Sequence, residues 1–142
     1  MCSLSRHLHE NPELSFEEVE TPKYIAAYHR ALGHEVREGV GERGVVATLR
    51  GGKTGKTVAL RADFDALEIQ ELNDVIYKSK VDGKMHACGH DGHTATLLVL
   101  AKALNLLKYE FGADTEKMPR INGMRRMQEA VCRVCMRKDT YG

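Results

Sequence analysis

The run from Thr94 to Lys108 sets the tightest limit on how this chain can fold. Leu97, Leu98, Val99, Leu100, Ala101 and Leu104, with further leucines and alanines around them, make it apolar on almost every side of a helix. A helix of that kind must be covered by a sheet and by other elements. It falls short of the roughly 20 apolar residues that span a bilayer, and Lys102 and Asn105 interrupt it, so no transmembrane segment is expected. Ahead of it lie short runs rich in valine and threonine and broken by glycine, at His34 to Glu38, Gly44 to Arg50 and Thr57 to Ala62. These predict strands. Strands followed by a buried helix imply a layered α/β fold. The short Gly51 to Lys56 connection favours an antiparallel hairpin between the last two strands, and so a mixed or antiparallel sheet.

Two helices are predicted upstream. Ser15 to Leu32 has Ser15 as N-cap with Glu18 three residues on, a capping box, and Gly33 where the helix would stop. Leu4 to His9 reads as a short helical turn ended by Asn11-Pro12, since the residue before proline avoids helical dihedrals. Leu67 to Lys84 shows no periodicity and is expected to be a loop, the kind of segment that often carries function. After Gly112 the character changes: methionine and arginine accumulate and no strand pattern is recognisable. The expected division is 1–112 as an N-terminal part of a catalytic domain and 113–142 as a divergent tail, read as frameshifted or disordered.

Composition narrows the function classes. A chain of 142 residues with 42% apolar and 29% charged residues is expected to be one ordinary soluble domain. Its net charge of +1 gives no field to attract phosphate backbones or anionic lipid, so no nucleic acid and no membrane partner is expected. No apolar core follows the positive charge near the N-terminus, so it does not read as a signal peptide, and a cytoplasmic location is expected. On that footing Cys2, Cys88, Cys132 and Cys135 are free thiols or metal ligands rather than disulfides. Three other patterns are set aside. Gly51 to Thr57 lacks the first glycine of a phosphate-binding loop, where Arg50 stands. Cys132-Arg133-Val134-Cys135 has no second pair. The basic tail has little aromatic interleaving for RNA contact.

The chemistry concentrates in His86-Ala87-Cys88-Gly89-His90-Asp91-Gly92-His93. Imidazole and thiolate are preferred ligands of zinc and related metals, and the two glycines let neighbouring side chains converge. The alternatives are loop histidines beside a buried cysteine, or a structural zinc site, although the latter usually takes paired ligands from separate elements. Cys-x-His with flanking glycine fits an open catalytic site better. The run precedes the buried helix, whose N-terminal dipole and free N–H groups favour a thiolate at Cys88. A second constellation, Arg61-Ala62-Asp63-Phe64-Asp65-Ala66-Leu67, puts two carboxylates at the end of a predicted strand, where they can hold a cation or orient its ligands. The alternative there is a solvated strand end paired to Arg61.

These residues resemble the M20 metallopeptidases, specifically the amidohydrolase branch that includes hippurate hydrolases, N-acyl amino acid amidohydrolases and plant auxin-conjugate hydrolases. Three motifs carry the resemblance in order: Arg6 to Thr21 with Pro12-Glu13-Leu14-Ser15-Phe16-Glu17-Glu18, then Leu60 to Leu67, then Gly83 to Ala95. The resemblance covers about Ser3 to Phe111. It implies an α/β/α zinc-peptidase-like catalytic domain with a mixed sheet, incomplete at its C-terminus here. It also implies divalent metal ions, two per complete site, as manganese, zinc, nickel or cobalt. The substrate would be a small N-acyl amino acid, and full-length relatives would be homodimers or tetramers. Carried over by position, Cys88 and His90 would be metal ligands. Asp65, the candidate catalytic-site carboxylate, stands where the wider family has an aspartate that orients a ligand histidine, and Asp63 stands at that histidine's own position. The family's Glu-Glu pair, general base and ligand, some thirty residues after the cysteine motif, is absent here, as are two later histidines. The expectation is therefore an inactive fragment of an amidohydrolase, the alternative a non-catalytic metal-binding or interaction module derived from one.

Overall fold

The computed structural model describes residues 1–52, 56–109 and the strand 129–136. Three helices and four strands follow in the order α1 (Cys2–Glu10), α2 (Glu20–Ala31), β1 (Glu35–Val40), β2 (Gly44–Leu49), β3 (Lys56–Asp63), α3 (His90–Leu106) and β4 (Glu129–Met136). The architecture is the layered α/β arrangement with a mixed sheet that the sequence implies. Among the described residues no helix is long and apolar enough to cross a membrane.

Helix α1 ends as predicted, at Asn11 before Pro12. Helix α2 starts four residues later than the capping-box pattern places it, with Val19 rather than Ser15 as its N-cap. Pro22 explains the shift: in a helix from Ser15 it would be interior, without an N–H to donate and with its ring against the Glu18 carbonyl, whereas from Glu20 it falls in the first turn, where no donor is needed. The cap comes instead from Glu13. Its carboxylate accepts from the Val19 and Glu20 amides at 3.0 Å each and from Thr21 at 2.7 Å. Burial alone would raise the Glu13 pKa, but these amides hold it below the ordinary carboxylate value.

The sheet has the strand order β1-β2-β4-β3. β1 pairs antiparallel with β2, β2 parallel with β4, and β4 antiparallel with β3. The expected β2–β3 hairpin is therefore not formed. β4 lies between them, so the connection after Leu49 must cross two strand spacings, roughly 10 Å, rather than one. β4 also lies where no strand pattern was expected, although Ala130-Val131-Cys132 and Val134-Cys135-Met136 form the near-continuous apolar run that suits a central strand.

Helices α2 and α3 pack on one face of this sheet. Ile25 and Ala26 of α2 and Leu97, Leu98, Ala101 and Leu104 of α3 close over Val45, Leu49, Ala62 and Phe64 in one buried cluster. The covering of α3 is one-sided, unlike the all-round burial its composition suggests: Leu106 is 76% and Leu107 52% exposed. The 67–84 segment is a loop, as expected, tied back by the Leu67–Met85 bridge. That bridge brings the third motif alongside the end of the second.

Candidate active site

The three motifs meet at the N-terminus of α3. Gly89 is the N-cap residue, at φ 78°, a left-handed conformation that costs glycine nothing. The turn it makes sets Cys88 on the exposed side of the helix entrance and His90 in the first helical turn. Asp65 follows the end of β3 and reaches His90: its Oδ1 lies 2.8 Å from His90 Nδ1, and its carbonyl oxygen 3.1 Å from the same nitrogen. Both partners are acceptors, so Nδ1 carries the proton and donates. Nε2 is then the ring nitrogen left for another partner.

Asp63 does not join this arrangement. It forms an ion pair with Arg61 at 2.9 Å, the solvated strand-end alternative, while its carbonyl accepts from Thr94 Oγ1 at 2.8 Å. The two aspartates separate because β3 ends at Asp63, so the strand alternation that would align them stops there. His93 lies beside His90, ring centroids 5.8 Å apart.

Sequence reasoning missed the polar groups behind this surface. His9 on α1 lies with Nδ1 2.9 Å from Asp91 Oδ2 and Nε2 3.2 Å from Glu71 Oε1. Ser5, one turn earlier on α1, also donates to Asp91, at 3.3 Å. Burial lowers the His9 pKa, but the two carboxylates outweigh it and raise the value above the ordinary one. Burial likewise raises Glu71, yet the Ser79 amide, His9 and Asn73 bring it below the usual carboxylate range. His86 is buried, neither ring nitrogen has a partner among the described residues, and burial pushes its pKa down to about 4. It is neutral at physiological pH. An open groove of about 750 Å³, lined by Arg6, His9, Tyr77, His86, Cys88 and His93 among others, runs over this surface. The signal available in sequence was only that His9, Glu71 and Asp91 each lie in or beside a motif; their meeting spans separations of 62 and 82 residues.

A divalent cation fits the donor types present, a solvent-facing thiol and an imidazole whose second nitrogen is pinned by a carboxylate. Among the described residues, however, no three histidine, cysteine or acidic side chains converge on one point. Cys88 and His90 are thus two side chains of donor type at the entrance of α3, with no third converging on them among the described residues.

Fold and site together define a layered α/β domain with a Cys-x-His motif at a helix N-terminus and a carboxylate bonded to its histidine. Residues 59–117 match the sequence model of peptidase family M20/M25/M40. The chain is 56% identical over 110 residues to the YhaA protein of Bacillus subtilis, covering 78% of this chain and 28% of that one. It is 52% identical over 100 residues to the hippurate hydrolase of Campylobacter jejuni, covering 70% of this chain and 26% of the other. Among solved structures, the YxeP protein of Bacillus subtilis, described as a dinuclear metal-binding peptidase of the M20 family, superposes with a TM-score of 0.76 at 38% identity, over 93% of this chain and 33% of that one. The chain is similar to peptidase family M20 and to relatives named as hydrolases, and it spans about a quarter to a third of the length of these relatives.

Proposed function

We propose that this chain is the metal-binding part of a divalent-metal-dependent amidohydrolase that cleaves the amide bond of N-acyl amino acids. Cys88 and His90 would hold the metal, and Asp65 would orient His90. The observation that carries the reading is the pinned Nδ1 of His90, which leaves Nε2 as the nitrogen available to a metal. The hippurate hydrolase relative, whose named substrate is itself an N-acyl amino acid, supports the substrate class, and the dinuclear relative supports two metal ions per complete site. A divalent cation in such a site lowers the pKa of the water it binds and polarises the amide carbonyl. Asp65 supplies the carboxylate that keeps His90 in one tautomer. No Glu-Glu pair follows Cys88 and His93 is the last histidine, so hydrolysis by this chain alone is not expected.

A second reading, a metal-binding module without catalysis, is favoured by the absence of a third converging donor among the described residues. Titration with Co²⁺ tests the shared premise, since thiolate ligation gives an intense near-ultraviolet band. The purified chain is expected to show that band, and Cys88→Ala to lose it and to bind the ion more weakly. A wild-type chain that binds Co²⁺ with no thiolate band would sink the assignment of Cys88. Hydrolysis of hippurate or N-acetyl amino acids by the loaded chain would exclude the non-catalytic module.

A further inference from the structure

Resting on the metal site proposed above, we infer that His9 is a positioning residue for it: by bridging Asp91 and Glu71, it ties the first turn of α3, where His90 stands, to α1 and to the 67–84 loop. Both ring nitrogens of His9 face carboxylate oxygens, at 2.9 and 3.2 Å. An ionised carboxylate only accepts, so both nitrogens donate, and the ring that can do this is the imidazolium. Its partners are buried, Glu71 at 1% and Asp91 at 7% exposure.

Each partner fixes something else. Glu71 takes the Ser79 amide at 2.7 Å and the Asn73 amide group at 3.2 Å, which folds the loop back on itself. Asp91 is the residue after His90 and also accepts from Ser5. Removing the imidazolium leaves two buried carboxylates with no cation between them, a strongly destabilising arrangement. The response is therefore expected at the loop and at the helix entrance, rather than evenly through the α2–β2 core. The direction of His90 is set twice, by Asp65 at its ring and by His9 through the turn that carries its backbone.

Amide hydrogen exchange on the whole chain without metal tests this directly, comparing His9→Ala, His9→Gln and Leu8→Ala. Leu8, buried on the same helix, loses packing without touching the network and so calibrates what a plain loss of stability does. Ser79, whose amide bonds Glu71, and His93, whose amide bonds the Gly89 carbonyl at 3.1 Å, are expected to exchange about ten-fold or more faster in His9→Ala than in Leu8→Ala at matched global stability. His9→Gln keeps one donor and should fall between them; it serves alone if His9→Ala gives no cooperative melt. Equal exchange at Ser79 and His93 in the His9 and Leu8 variants overturns the inference. In the Co²⁺ titration the His9 variants are expected to bind about ten-fold more weakly while keeping the thiolate band, and unchanged affinity also counts against the positioning role. A wild-type chain that takes no Co²⁺ but shows the exchange response overturns the metal reading instead, leaving His9 as the residue that holds the His90 turn.

Discussion

Two glutamates of the first motif show how differently one residue type is used a few positions apart. Glu13 is outside α2 yet caps it, satisfying three amides that a helix N-terminus would otherwise leave orphaned. Glu13→Ala is expected to cost about 2 kcal/mol, the upper end for a lost cap, and Glu13→Gln less, because the amide oxygen still accepts. Urea denaturation followed by circular dichroism measures both; equal midpoints for wild type and Glu13→Ala would refute the capping role. Glu18 is fully buried instead, neither carboxylate oxygen makes a hydrogen bond of standard geometry among the described residues, and burial with the nearby Asp65 and Glu13 charges pushes its pKa up to about 6. The Ser15-Glu18 pattern suggested a local hydrogen bond, but a local rule cannot see Pro22 shifting the helix start or Glu13 reaching in from the preceding turn. The site was legible to the same depth. Cys88, His90 and Asp65 stood in recognisable motifs, and the Asp65–His90 contact follows their order, whereas the partners of His9 depend on where α1 docks against α3.

Between elements, the joint of α2 and β1 is made by a pair of histidines. His29 on the last turn of α2 and His34 just before β1 bring their Nδ1 atoms to 3.0 Å, so one nitrogen donates and the other, on a neutral ring, accepts. Burial and the neighbouring His34 push the His29 pKa down to about 4; burial, with Lys108 adding to it, lowers His34 as well. A histidine whose folded pKa is depressed contributes stability that is complete above its unfolded value near 6.5 and is lost as pH falls. For His29 the loss runs from about pH 6.5 down to about 4, where the folded form protonates too. The full span corresponds to roughly 3 kcal/mol at about 1.4 kcal/mol per unit. Glu18 opposes this: its raised pKa costs stability as pH rises from 4.5 to about 6. The clean measurement is therefore a difference, the unfolding free energy of wild type minus that of His29→Gln at each pH. That difference is expected to shrink from pH 7 to pH 4, and a constant difference would mean that His29 does not titrate against folding. Neither histidine carried a sequence signal beyond lying near Gly33, and their meeting is a product of the turn itself.

Across the whole molecule the deciding feature is that the sheet closes through its last strand. β1, β2 and β3 are near in sequence and their bounds follow the valine-rich runs closely, yet β2 and β3 do not pair; β4 joins them through partners 66 to 85 residues further along the chain. Strand existence is a local property of composition, while strand order is a matter of which edge a distant segment fills. The glycine-rich connection after Leu49 is compatible with a hairpin and with a crossing alike, so it could not decide. The consequence can be tested at Val131, which pairs with Val46 on one side and Arg61 on the other. Proline there removes the backbone donor from a central strand and forces its ring into the ladder, which such strands do not accommodate. The cost, about 3 kcal/mol or more, is a large share of the roughly 5 to 15 kcal/mol that holds a small domain folded. Val131→Pro is expected to abolish the cooperative thermal melt, whereas Val131→Ala keeps the amide and should retain a melt at lower temperature. If the proline variant instead melts cooperatively within a few degrees of wild type, β4 does not hold the two halves of the sheet together. The Asp65–His90 contact, which hangs from the end of β3, would then have to be held by α3 alone.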